Sequence, residues 1–540
     1  MQNAQNACIY YISESPLLLC LMFGTDGFCR HAGRIARIAQ AKFQYSVGVR
    51  AARLRCKPRG KRIPMPLGVS GERWGIRLLC RGKLCDTCGP QMAEPSACAV
   101  GYYLDDPCGR SRAVMPHRAQ SLKIFFSAGE PSGDVHAANL IRQIQSRCPQ
   151  VHAVGYGGPH MARAGCHLMY DLTALAVMWF GRVLLNIATF WRLYRKAARY
   201  FETHRPDAVV LVDYPGFNWW IAKAAKRRGI PVYYYMPPQI WAWARWRIGK
   251  MRRWVDHVLC GLPFEAQWFA QRGCRTEFVG HPFFDETCRH EGDPVFLAEQ
   301  RRREGPLVVV LPGSRNQEVT GNLDVFFDAC RKIYQAVPNV RFAVACFKPQ
   351  HADYARPRAA ATGLPIEVFC RKTPELIQLA DCCMAVSGSV SLELLYHLKP
   401  TVIHYRISRL AFFVQGFFRK VKYITLVNLL AGDALAEDDL SLYDPNSPEA
   451  AEALFPEYLT CEDRSTEVAS HIIGWLQDRK SYSQLVERLQ QLKDRVAHGG
   501  ASSRAAEYLL ATLQAAPLSG PHWRRPTEGE ATAGVDAAAA

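Results

Sequence analysis

The chain has 540 residues, too many for one ordinary domain and enough for two or three with a sizeable core in each. Hydrophobic residues make up 49% and charged residues 21%, ordinary values for a globular protein, which excludes a disordered chain. The formal charge of +19 is uneven: residues 1–114 hold 17 Lys+Arg against 7 Asp+Glu, leaving +9 on the other 426 residues, a moderate excess that suits a phosphate, a nucleotide or a membrane surface.

Residues 1–114 show no sustained period of 2 or 3.6, many arginines and nine of the twenty cysteines, so no core can be built from them. Their best apolar run, Pro16 to Phe23, falls well short of the roughly 20 residues that span a bilayer. It follows Glu14 without a basic segment, so it does not read as a signal peptide. Cys85 and Cys88 have zinc-ligand spacing, but no second Cys-x-x-Cys or histidine pair follows. The plainer alternative is an upstream extension with Met115 as the natural start. Residues 1–121 are accordingly expected to be a poorly ordered, basic, cysteine-rich extension. The remaining eleven cysteines are scattered, mostly in apolar runs, which fits a reducing cytoplasm better than a disulfide framework.

From Lys123 the pattern changes to short β-rich runs ending in Gly, Ser, Asp or Pro, each followed by a helical stretch. Residues 123–127, 208–213 and 231–236 form one series. After the charged stretch 301–304 a second series opens at 307–311 and continues through 341–345 and 400–405. Continuously apolar strands alternating with helices predict parallel sheets covered on both faces. Two such series in tandem predict an α/β chain of two doubly wound Rossmann-like domains facing a central cleft, with ligands bound beyond the carboxyl ends of the strands. The expected bounds are 122–300 and 301–514, the second with its terminal helices, and a disordered tail at 515–540, rich in Ala, Pro and Gly.

The first strand runs into a loop holding Gly129, Glu130, Ser132, Gly133 and Asp134. Its small residues let backbone N–H groups approach an anion at a helix N-terminus, although such a turn is also a common structural device. In the second series Gly313-Ser314-Arg315 closes the opening strand and Ser387-Gly388-Ser389 a later one. Arg315 offers a fork of donors matched to a diphosphate, and the amides at 387–389 can cradle phosphate oxygens. Glu393, one helical turn on, is either an acceptor for ribose hydroxyls or an exposed helix carboxylate.

These loops belong to a longer set: Ser-Ala-Gly-Glu-Pro-Ser-Gly-Asp (127–134), Val-Asp-Tyr-Pro-Gly-Phe-Asn (212–218), Gln-Ile-Trp-Ala-Trp (239–243), Leu-Pro-Phe-Glu (262–265) and Phe-Val-Gly-His-Pro (278–282). Leu-Pro-Gly-Ser-Arg-Asn-Gln-Glu-Val (311–319), Ser-Gly-Ser-Val-Ser-Leu-Glu (387–393) and Asn-Leu-Leu-Ala-Gly (428–432) follow in order. Together, across about 122–512, they resemble the lipid-A-disaccharide synthase family. The resemblance implies a GT-B glycosyltransferase with a UDP-2,3-diacylglucosamine donor, a 2,3-diacylglucosamine 1-phosphate acceptor and an inverting reaction that forms a β-1,6 disaccharide. It implies that Asp213, ending a strand at the cleft mouth, is the base that takes the acceptor proton. The alternative is an Asp capping the next helix. The resemblance also adds Asn428 to the donor-binding set of Gly313, Ser314, Arg315, Ser387, Gly388, Ser389 and Glu393. No metal and no cofactor are expected, so UDP is held by Arg315 and helix N-termini. Three positions depart from the family pattern: Gly216 replaces a second carboxylate, Val427 a proline, and Thr460 a glutamine in Pro456-Glu457-Tyr458-Leu459-Thr460, which an insertion displaces.

Phe180, Val183, Leu184, Ile187, Trp191 and Tyr194 recur at helical spacing after Leu175, Val177, Met178 and Trp179, with arginines and Lys196 nearby. Such a face is expected either to lie on an anionic bilayer or, from Val183 onward, to pack on the first sheet. The expected location is cytoplasmic and peripheral on the inner membrane, with no nucleic-acid partner; a homodimer is compatible with the sequence. The aromatic and basic stretch 241–253 leaves a single-strand nucleic-acid platform as a rival reading, and another UDP-sugar enzyme of the same fold as a closer one.

Overall fold

The structure is a computed structural model describing residues 122–176, 181–432 and 440–515, without the side chains of residues 176 and 181–187. The first lobe has β1 (Lys123–Ala128), β2 (His152–Gly157), β3 (His167–Asp171), β4 (Ala208–Val212), β5 (Val232–Tyr235), β6 (His257–Cys260) and β7 (Thr276–Phe278). They form one seven-stranded sheet in the order β3-β2-β1-β4-β5-β6-β7. The second lobe has β8 (Leu307–Leu311), β9 (Arg341–Cys346), β10 (Ile366–Cys370), β11 (Cys382–Ala385), β12 (Thr401–Arg406) and β13 (Glu457–Thr460), a six-stranded sheet in the order β10-β9-β8-β11-β12-β13. The strand pairings throughout are parallel.

The strands β4 and β8 are apolar at every position because both faces of the sheets are covered. In β4 all five residues are buried, and in β8 likewise. The helix Pro131–Arg147 buries Ala137, Leu140, Ile141 and Ile144. Phe125 of β1 meets Phe201 of the helix Gly181–His204 edge to face at 4.9 Å. That helix also buries Leu193 and Ala197, while Trp191 on its other side is 52% exposed. From Leu193 onward one face of it is therefore core.

In each sheet the chain winds outward in both directions from a central strand pair, β1 beside β4 and β8 beside β11. Loops leaving adjacent strands there diverge to opposite faces and open a crevice. Register fixes what lines it: Ala128 pairs with Val212, so Gly129 and Asp213 come next side by side, and Ala385 pairs with Leu311, which brings Val386 beside Pro312.

The expected second domain needs correction at its end. The helix Ala501–Ala515 returns to the first lobe, where Tyr508 and Thr512 bond His257 and Tyr233 at 3.0 and 2.9 Å. Asp285 of the first lobe caps it, accepting from the amides of Gly500, Ala501 and Ser502. The extension 1–121 and residues 516 onward of the tail lie outside the described residues.

Candidate active site

Asp213 directly follows β4 at φ +44° and Tyr214 comes next at φ +48°. Two consecutive non-glycine residues in the left-handed region are strained, and such a corner persists only where its surroundings fix it. Here the Asp213 carbonyl accepts from Tyr234 Oη and from Asn218 Nδ2, both at 2.7 Å. Asn218 is itself oriented by Ser127, whose hydroxyl donates to Asn218 Oδ1 at 2.7 Å. The Tyr214 ring lies against Gly129, where a Cβ would stand 2.2 Å from Tyr214 Cδ1, so only glycine admits this approach. Across the turn, a side chain at Gly216 would meet nothing within 4 Å.

The carboxyl groups around Asp213 hold protons. Glu130 is pushed up to about 8, by burial first and then by the Asp213 charge, while the Arg315 guanidinium of the second lobe opposes the rise. Glu265 is also pushed up to about 8 by burial, against the hydrogen bond from Trp241 Nε1 at 3.0 Å, and again Asp213 adds to the rise. Two carboxyls raised by burial at one site are fitted to donate hydrogen bonds there.

In the second lobe Gly313 sits at φ +108°, and a Cβ there would stand 2.6 Å from Glu318 Cβ, so this turn requires glycine. Glu318 accepts from the amides of Ser314 and Arg315 at 2.9 and 3.2 Å and lies 3.5 Å from Arg315 Nη1. Those amides are thus occupied, while the charge of the Arg315 guanidinium reaches Glu130 of the first lobe. Ser387 Oγ donates to Ile424 O at 2.9 Å, tying its loop to the segment before Leu426, whereas Gly388 and Ser389 are half-exposed. Glu393 is half-buried rather than an exposed carboxylate, and burial first and Glu375 second push it up to about 7.

Three expected roles change. Asn428 is buried with both amide atoms engaged: Nδ2 donates to Phe455 O and Glu457 Oε2, and Oδ1 accepts from Phe455 N. Its side chain is thus engaged within the lobe. Asp134 accepts from the amides of Gly158, His160 and Met161, which anchors the loop after β2, so it too is spoken for; beside it Gly133 is buried and Ser132 half-exposed. Leu175 packs into the core at 9% exposure instead of facing a membrane. Val177, Met178, Trp179 and Phe180, and the side chains of Val183, Leu184 and Ile187, lie outside the described residues.

Other residues emerge only from the fold. Ser127, Asn218 and Tyr234 set the Asp213 corner: the first and second lie in the quoted motifs, but only the fold shows that the end of β1, the helix after β4 and β5 meet there. Glu457 of β13 accepts from the amides of Ile424 and Thr425, from Thr425 Oγ1 and from Asn428, and holds the Ser387 loop from behind. Thr460, ending the same strand, accepts from Glu462 N at 2.9 Å. The nucleic-acid platform loses its base, since Trp241 is fully buried and Arg247 covers Trp243 at 4.7 Å. Among the described residues no group of three or more His, Cys, Asp or Glu could hold a metal ion, and none of the eleven cysteines is in a disulfide.

Two doubly wound lobes, with Glu130 at the switch point of one close enough to feel the charge of Arg315 at the switch point of the other, are the GT-B architecture, and the family match makes the chain a glycosyltransferase. The chain belongs to the lipid-A-disaccharide synthetase family, whose model matches residues 124–471. It is 32% identical over 396 residues to a lipid-A-disaccharide synthase of Trichlorobacter lovleyi, covering 73% of this chain and 98% of that one. A lipid-A-disaccharide synthase of Geobacter metallireducens is 31% identical over 400 residues, with the same coverage. Among solved structures, a protein described as a UDP-N-acetylglucosamine 2-epimerase of Listeria monocytogenes superposes with a TM-score of 0.50 at 11% identity, over 75% of this chain and all of that one, a likeness of fold.

Proposed function

We propose that the cleft joins two acylated glucosamine units, with Asp213 as the base and Arg315 as the anchor of the departing nucleotide. The reaction is that of the family: 2,3-diacylglucosamine passes from UDP-2,3-diacylglucosamine to 2,3-diacylglucosamine 1-phosphate, giving the β-1,6 disaccharide 1-phosphate and UDP. The acceptor hydroxyl oxygen attacks the donor's anomeric carbon from the face opposite the phosphate. As the new C–O bond forms, the bond to UDP breaks with its electron pair, and the hydroxyl proton passes to Asp213. Glu130 is protonated at neutral pH, so it donates hydrogen bonds and does not compete as base. Arg315 meets the diphosphate charge that grows as UDP departs. Ser389 and Glu393 complete the donor side, with Glu393 toward the ribose.

The observation that carries this reading is the Asp213 corner, fixed by Asn218 and Tyr234 and flanked by two protonated carboxyls. Asp213→Asn keeps the shape and removes the basicity. Turnover should fall by roughly 10²–10⁴, the contribution of a general base, with UDP affinity unchanged. Near-normal turnover would transfer the role to another group.

No helix among the described residues is long and apolar enough to cross a membrane. Acylated substrates favour a peripheral protein on the cytoplasmic face of the inner membrane, where donor and acceptor would be drawn from the leaflet.

A further inference from the structure

The helix Arg409–Phe418 leaves β12 and turns an apolar face to solvent: Leu410, Phe413 and Phe417 are 57%, 63% and 40% exposed. Their spacing of three and four residues places them in one stripe. Ala411 and Gln415 on the other side are buried, so the helix already has its inward face and the stripe is surplus to the fold. Both ends are fastened, by Ser408 Oγ accepting from Ala411 N at 3.2 Å and by Arg419 donating to the carbonyls of Val421 and Lys422.

The helix end also meets the first lobe. Lys420 N donates to Ala242 O at 2.8 Å, Arg245 Nη2 donates to Lys420 O at 2.8 Å, and Trp246, itself 49% exposed, lies 6.4 Å from Phe418. The apolar stripe thus stands where the two lobes touch.

Charge selects the occupant. Residues 401–432 contain five Arg or Lys and no Asp or Glu, and residues 240–255 on the first lobe contain five more, again with no acid. Arg406 and Arg409 are exposed beside the stripe, and Lys420 and Lys422 are half-exposed. Large exposed apolar side chains rimmed by cations of one sign match the boundary between the anionic headgroups and acyl chains of a bilayer. We infer that the helix Arg409–Phe418 is a membrane-docking element that seats Leu410, Phe413 and Phe417 in an anionic lipid surface at the lobe junction. What the docking serves rests on the reading of the cleft as a transferase of acylated sugars; the docking itself does not.

The test is co-sedimentation of the full chain with phosphatidylcholine vesicles, with and without phosphatidylglycerol. Binding should require phosphatidylglycerol and weaken with salt. It should fall at least roughly tenfold in the Leu410→Ser, Phe413→Ser, Phe417→Ser triple variant, as three apolar side chains cease to leave water. The variant's Tm and its activity on detergent-dispersed substrates should match the parent's. Phe413→Trp keeps the face apolar, and its fluorescence should be quenched by brominated lipid. Undiminished sedimentation of a folded triple variant, or an unquenched Trp, overturns the proposal. So does loss of self-association with vesicle binding intact, which would assign the face to a second copy. An unmodified chain that binds vesicles but transfers no sugar would count against the transferase reading alone.

Discussion

Two residues held in the left-handed region each cost on the order of 1–3 kcal/mol, so the corner at Asp213 and Tyr214 is maintained at the expense of stability. The backbone carbonyl of Asp213 is pinned twice, which fixes the point from which its side chain departs. Arg315 depends on a different property, the planar fork. Arg315→Lys keeps the charge and loses the paired donors, so UDP should bind roughly tenfold more weakly by calorimetry, the size of one charge-assisted hydrogen bond. Unchanged UDP affinity would remove Arg315 from the donor site. That Asp213 emerges at the sheet edge is legible in the sequence, because a polar residue directly after an apolar strand must do so, and Arg315 follows β8 by four residues in the same kind of loop. The engagement of the Asn428 and Asp134 side chains within the fold is not legible. Their partners, Glu457 and the amides after β2, lie far along the chain, and nothing local distinguishes a satisfied polar side chain from a waiting one.

At the scale of elements, the strands were read correctly where they run apolar for five residues, as in β4 and β8, because a two-faced parallel sheet demands it. The helix Arg409–Phe418 was overlooked because its phenylalanines look like core until the sheet shows which side is already filled. The short helix Ile240–Trp243 and the helix Pro263–Ala270 are joined by the buried pair Trp241 and Glu265. Burial raises Glu265 from 4.5 to about 8, so its protonated form stabilises the fold. That contribution is complete below the unfolded value and is lost as pH climbs through about 8. Glu265→Gln cannot ionise and still accepts from Trp241. Between pH 5 and pH 9 its Tm should therefore fall less than that of the unaltered chain, reflecting an unfolding free-energy difference on the order of 1 kcal/mol or more. Parallel Tm profiles would show that Glu265 does not retain its proton on folding.

For the whole molecule, the two-lobed plan was legible from the repeated strand and helix series, while the return of Ala501–Ala515 to the first lobe was not. That crossing depends on Asp285 and on ring contacts that leave no periodic trace in the sequence. The family match begins at residue 124, and the curated relatives are covered almost entirely by 396 to 400 residues of this chain. A chain beginning at Met115 should accordingly fold, with Tm and turnover near those of the full chain. A soluble but inactive product would give residues 1–114 a part in the reaction. The most direct test incubates purified full-length protein with UDP-2,3-diacylglucosamine and 2,3-diacylglucosamine 1-phosphate. UDP and the β-1,6 disaccharide 1-phosphate should form in equal amounts, each dependent on both substrates. UDP release that ignores the acceptor, or transfer from a donor lacking acyl chains at the same rate, would contradict the proposed reaction.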